Sequence, residues 1–155
     1  MLFKNLYIIF MTIIFITLMP LLSLADDGRL ANCMSYKSQI EEILISEDVS
    51  IDYFYLAVCE SGCKIKISNK GAHGFFQIMP FTFNAFCDNN CTDIDDIKCN
   101  TIAAARYIKH LQERFKKMHI LIKAYNRGGT NFKRYGSTKE ADKLSACVMN
   151  YIKNK

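Results

Sequence analysis

In the stretch Cys59-Glu60-Ser61-Gly62-Cys63 a single acidic side chain closes an apolar run. Glu60 lies seven residues after Tyr53 and four after Leu56, so at about 3.6 residues per turn the three share one helix face. That face is apolar, and two effects on it raise a carboxyl pKa. Desolvation disfavours the ionised form, and the negative end of the helix dipole lies close by. A glutamic acid that keeps its proton near neutral pH can act as a general acid. Taken by itself, though, a Glu near a helix end is most simply a residue turned to solvent. The balance rests on its company: Ser61, Gly74 and Gln77 close behind it, and Tyr125 and Asn126 far along the chain.

The elements that must position these residues read as helices. Tyr36, Ile40, Ile43 and Leu44 make a first apolar stripe, and residues 51 to 60 make a second, entered through Ser50 as N-cap and closed by Gly62. A third helix is predicted to start at Asn100 or Thr101, both good caps, and carries Ala104, Ile108, Leu111 and Phe115 down to basic Arg114, Lys116 and Lys117. A short apolar helix over about 118 to 126 ends at Gly128-Gly129. A last helix over about 138 to 152 opens with the capping-box pattern Ser137-Thr138-Lys139-Glu140. Sustained strand alternation is lacking, so at most a small hairpin fits, around residues 64 to 78. The aromatic residues of 53 to 55 and 81 to 86 read as core.

Four short motifs carry a resemblance. Glu60-Ser61-Gly62; then Ser68, Gly71-Ala72, Gly74 and Gln77; then Met79-Pro80 and Thr82 resemble the E-S-G, S-x-x-G-A-x-G-L-M-Q and M-P-x-T signatures of soluble lytic transglycosylases. Asp96 and Asn100 are similar to that family's D-P-x-x-N helix entry, and Ala124-Tyr125-Asn126 with Gly128 to its A-Y-N-x-G motif. The resemblance spans about residues 47 to 136, in the family's order. It implies a mainly α, goose-lysozyme-like single domain with a peptidoglycan groove. By the same resemblance Glu60 is the catalytic acid/base, and Ser61 and Tyr125 orient its carboxyl or the sugar through their hydroxyls. Gln77 contacts substrate, Asn126 helps shape the groove floor, and Gly74 and Gly71 let backbone approach the glycan. Phe75-Phe76 stand where the family has Leu-Met, either as core packing or as a narrowing of the groove.

One carboxylate suits that chemistry. Hydrolytic glycosidases ordinarily use two, whereas a lytic transglycosylase uses one, first to protonate the glycosidic oxygen between N-acetylmuramic acid and N-acetylglucosamine. It then accepts the proton of the muramyl C6 hydroxyl, so the product is a 1,6-anhydromuramyl end. Two other readings compete: a goose-type muramidase, whose second carboxylate would come from the 88 to 96 loop or from Glu47 and Asp48, and a non-enzymatic glycan-binding component of the envelope. The compact size resembles transglycosylases that open the wall for a secretion, conjugation or pilus apparatus.

Length and composition agree with one globular domain: 155 residues, half of them apolar. Residues 1–25 stand apart, with Lys4 as their only charge and Ser23-Leu24-Ala25 as a small-x-small cleavage pattern, and read as a signal peptide before a catalytic domain over 26–155. A retained membrane anchor is the rival reading, since the apolar stretch is about long enough to span a bilayer, but Pro20 and the cleavage pattern count against it. Export to the periplasm or cell envelope follows. Without that leader the chain carries 19 basic and 15 acidic residues, a net charge of +4. This suits an anionic polymer, but no dense basic run with interleaved aromatics points to nucleic acid.

All seven cysteines, at 33, 59, 63, 87, 91, 99 and 147, follow the leader, and export favours disulfides over zinc. Cys59 and Cys63 are awkwardly spaced to join each other, so each is expected to pair elsewhere. Cys33 with Cys147, and a pair among 87, 91 and 99, are the expected bridges. The acidic loop from Asp88 lacks the EF-hand Gly and Glu, and reads as a solvated, disulfide-pinned loop. No metal or cofactor is expected. His73, His110 and His119 are isolated, with no cysteine in a nucleophile setting.

Overall fold

The computed structural model describes residues 27–155; the leader expected over 1–25 lies outside them. Among the described residues there are eight α-helices and no sheet, and no helix is long and apolar enough to cross a membrane. Helix α1 is Asp27–Met34, α2 Lys37–Ser46, α3 Phe54–Glu60, α4 Pro80–Phe86, α5 Ile97–Arg114, α6 Met118–Arg127, α7 Gly129–Tyr135 and α8 Lys139–Lys153. The architecture is mainly α, as the sequence predicts.

Helix α3 is the axle of the fold. A 3-10 turn, Ile51–Tyr53, leads into it, and the Ser50 hydroxyl accepts a hydrogen bond from the Asp52 N–H at 3.3 Å, as a cap should. Leu56, Ala57 and Val58 are fully buried. Helix α3 packs against α1, α2 and α8, while α5 packs against α2, α4 and α6. The chain leaves α3 through Gly62 at φ 64°, whose N–H donates to both Ala57 and Val58 carbonyls, so Glu60 sits on the last turn of an immobilised helix.

Several sequence expectations are corrected. Helix α5 begins at Ile97 and is capped by Asp96, whose carboxylate accepts from the Cys99 N–H at 2.8 Å, rather than starting at Asn100 or Thr101. Helix α8 is capped by Thr138, not Ser137; the Ser137 hydroxyl donates to Asp142 instead, leaving Glu140 free of a reciprocal box. Helices α1, α4 and α7 carry too few periodic residues to be read from sequence, although Pro80 at the first turn of α4 is a fitting start. Residues 66 to 78 form a compact double turn with isolated bridges from His73 to Ile67 and Ile78, which is the small hairpin expected there. Phe75 and Phe76 are core residues, while Phe81, expected in the core, is 84% exposed.

The bridges differ from the expected ones. Cys33 joins Cys63 and Cys59 joins Cys147, so Cys33 and Cys147 do not pair with each other. Both links end on the turn around Glu60, because α1 and α8 flank α3 on either side. Cys87, Cys91 and Cys99 are thiols, so the acidic loop is not pinned by a disulfide. Arg106 holds its start through Asp88 at 3.1 Å and also binds Glu47 at 3.0 Å, while His73 approaches Asp95 at 3.2 Å. Among the described residues, no group of His, Cys, Asp and Glu is arranged to hold a metal ion. Nonreducing peptide mapping after denaturing alkylation is expected to recover the 33–63 and 59–147 peptides, with 87, 91 and 99 alkylated. A linked 33–147 peptide contradicts this arrangement.

Candidate active site

The carboxyl of Glu60 opens into a cleft of about 270 Å³ between the 66–78 turn and the end of α6. Gln77, Tyr125 and Asn126 line it with Glu60, so the distant motifs of the sequence converge on one place. Ser61 and Gly74 lie behind the wall. Lys70, Thr82, Tyr107, Arg127 and Glu140 complete much of the lining.

Burial pushes the Glu60 carboxyl up to about 8, helped by the charge of Glu140 and opposed by Lys66. The apolar packing of α3 is therefore the main cause, and part of the residue still faces the groove. Glu60 is thus held protonated near neutral pH at a position open to a ligand, which is the state general-acid chemistry needs.

Its neighbours act on the wall more than on the carboxyl. The Ser61 hydroxyl donates to the Phe75 carbonyl at 2.8 Å and accepts from the Lys64 N–H at 3.3 Å. The Tyr125 hydroxyl donates to the Phe76 carbonyl at 2.9 Å, and burial holds its pKa well above the ordinary phenol value, so it stays neutral. Both hydroxyl protons expected to orient Glu60 or the sugar are thus committed to the backbone of the 74–77 turn. Gln77 occupies a left-handed conformation at φ 49° and donates its amide to the Gly74 and Lys66 carbonyls at 2.8 and 3.1 Å. Its side-chain oxygen is the group left for a ligand.

Asn100 explains why that turn is so well determined. Fully buried, it accepts from the Phe76 N–H at 3.0 Å and donates to the carbonyls of His73 at 3.1 Å and Ile94 at 2.9 Å. A Cβ on Gly74 would stand 2.5 Å from its amide nitrogen. Gly74, at φ 71°, therefore makes room for Asn100.

Sequence reasoning missed Glu140, the second acid in the cleft. Its carboxylate meets Lys70 Nζ at 2.6 Å across the mouth, both side chains well exposed. The acids expected to supply a second carboxylate are elsewhere: Glu47 and Asp88 hold Arg106, and Asp95 faces His73. Only an eighty-residue jump in sequence joins Glu60 to Glu140, and no local pattern marks it.

Comparison with curated proteins finds no match. A family model for the transglycosylase SLT domain matches residues 49–147, which include Glu60, the 66–78 turn, Asn100 and the Tyr125-Asn126 wall. The match covers more than half of the chain, and its fold is lysozyme-like and mainly α, so this protein belongs to the transglycosylase SLT family, whose members are lytic transglycosylases of peptidoglycan.

Proposed function

We propose that the protein cleaves the β-1,4 bond between N-acetylmuramic acid and N-acetylglucosamine without water, leaving 1,6-anhydromuramyl ends. The observation that carries this reading is a carboxyl held neutral, with a pKa of about 8, in an open cleft lined by Gln77, Tyr125 and Asn126. Glu60 gives its proton to the glycosidic oxygen as the bond to the leaving sugar breaks. The carboxylate so formed takes the proton of the muramyl C6 hydroxyl as that oxygen closes on C1, which restores Glu60. Gln77 presents its oxygen to the sugar from a fixed turn, Asn126 shapes the floor beside it, and Ser61 and Tyr125 keep the turn in register. The work belongs outside the cytoplasm, after removal of a leader near Ala25, in local wall opening for an envelope machine such as a secretion, conjugation or pilus apparatus.

A hydrolytic reading gains one observation, the presence of Glu140 in the same cleft. Its carboxylate is engaged by Lys70 Nζ at 2.6 Å across the mouth of the cleft, so it is not free to position a water. Digestion of purified peptidoglycan with residues 26–155, followed by mass spectrometry of the released muropeptides, separates the readings. Anhydro ends are expected; reducing ends would make the protein a muramidase, and binding without release would make it a glycan-binding component.

A further inference from the structure

The segment Lys64 to Ile67, which carries the chain from the Cys63 bridge into the 66–78 turn, alternates basic and apolar residues, and all four are exposed. Ile65 and Ile67 leave 59% and 61% of their surfaces to solvent, and neither lines the Glu60 cleft. Between Glu60 and Asp88 the chain has no acidic residue. Lys70 in that stretch is bound to Glu140, whereas Lys64 and Lys66 have no ion-pair partner among the described residues.

The backbone of this segment is a strand edge with one side used. The Lys66 carbonyl accepts from the Gly74 N–H at 3.1 Å and the Ser68 N–H donates to the Ala72 carbonyl at 2.8 Å, on either side of the antiparallel bridge between Ile67 and His73. Successive residues of a strand turn their N–H and C=O groups to opposite sides. Those of Ile67 therefore point away from the turn, and by the same alternation so do those of Ile65. Among the described residues none of these four groups has a hydrogen-bond partner. An open edge flanked by exposed apolar side chains is a template for another strand.

We propose that Lys64 to Ile67 is a docking edge at which an extended acidic segment of a partner protein adds as a strand. Its main chain bonds to Ile65 and Ile67, its apolar residues lie beside the two isoleucines, and its carboxylates lie beside Lys64 and Lys66. Charge and alternation name this occupant. A second copy of the chain could exchange bonds only between its own Ile65 and Ile67 and theirs, which sets lysine against lysine, and like charges directly opposite are unfavourable. A flat lipid surface would meet the isoleucines or the lysines but not both, because they lie on opposite faces of the strand. An added strand meets both, since its side chains alternate in step. The inward bonds of Lys66, including the one from the Gln77 amide at 3.1 Å, stay in place, so docking leaves the cleft open. The proposal does not depend on which reaction Glu60 performs.

The probe is a synthetic peptide of alternating glutamate and valine. Its companions are the same peptide N-methylated at the valines, a version with lysine for glutamate, and vesicles of anionic phosphatidylglycerol. Saturating acidic peptide is expected to slow hydrogen exchange at the Ile65 and Ile67 amides about tenfold or more, while the amides of Ser68 and Gly74, already bonded, stay as they were. N-methylation should abolish binding, because it removes the donors that face the edge. Lys64→Glu with Lys66→Glu should weaken the acidic peptide about tenfold or more and make the lysine peptide the better ligand. Ile67→Pro removes one outward N–H and no inward bond, so it should weaken the peptide while muropeptide release stays at the wild-type level. No binding of the acidic peptide up to about 1 mM overturns the proposal. So do equal affinity for the methylated peptide and unchanged exchange at Ile65 and Ile67 with the peptide bound. Protection of those two amides by the vesicles alone, or by a concentration-dependent dimer without peptide, replaces the acidic partner with a lipid surface or a second copy and overturns it equally.

Discussion

Glu60→Gln is expected to release no muropeptides and, at pH 8, to be more stable than the wild type. Loss of a positioned acid and base commonly costs about 10² to 10⁴ in rate, and here one group does both. The stability gain has the same origin as the activity. The folded protein holds the Glu60 proton up to about pH 8, while the unfolded chain releases it near the ordinary glutamate value of about 4.3. Below pH 4 both states are protonated, and Glu60 costs the fold nothing. As pH rises between those two values the unfolded state is progressively favoured, and above pH 8 the penalty is constant. The difference between Glu60→Gln and wild type should therefore be near zero at pH 4 and reach about 2 to 4 kcal/mol at pH 8, allowing for screening by the open groove. Chemical denaturation at the two pH values measures it, and equal stability at pH 8 contradicts a neutral Glu60. The wild-type kcat/KM should correspondingly hold up to about pH 8 and fall roughly tenfold per unit above it.

Gly74→Ala is expected to damage the fold as well as the site. The position is left-handed at φ 71°, and the new methyl would stand 2.5 Å from the Asn100 amide nitrogen and 2.7 Å from its Cγ. Asn100 cannot swing aside without giving up its bonds to Phe76, His73 and Ile94, all inside the protein. The backbone conformation alone costs about 1 to 2 kcal/mol in an L residue, and each buried group left unpaired about 1 to 3 more. A loss of about 3 to 5 kcal/mol follows, together with misplacement of Gln77, so thermal unfolding and muropeptide release should fall together. Gly71→Ala is the control, because open space surrounds its Cβ and only the φ of 79° opposes it.

Helix α3, which ends at Glu60, was legible because everything it needs is local: the Ser50 cap, the apolar run and Gly62 lie within thirteen residues. Residues whose use is tertiary misled. Asn100 and Thr101 are cap types, yet both lie inside α5, one tying down the 74–77 turn and the other donating to the Ile97 carbonyl at 2.7 Å. Gly129 looked like a helix terminator, but it opens α7, where a Cβ would meet Leu111 at 2.9 Å. The convergence of Gln77, Tyr125 and Asn126 on Glu60 came from motif order, not from periodicity. Glu140 had no such marker, since its place depends on how α8 comes to rest against the cleft. Cysteine pairing was equally hidden: the sequence could say that Cys59 and Cys63 take other partners, but which ones depends on the packing of α1 and α8 around α3.

The pairing has a polymer-physics consequence. The bridges close segments of 30 and 88 residues that overlap at residues 59 to 63. In a denatured but oxidised chain, therefore, the two rings are interlocked in sequence and share the five residues that carry Glu60. Each ring by itself removes about 3 to 5 kcal/mol of denatured-state entropy, and their shared node keeps both flanking helices tethered to the acid even when packing is lost. Urea titration should show a smaller slope for the oxidised than for the reduced protein, because the cross-linked chain exposes less new surface on unfolding.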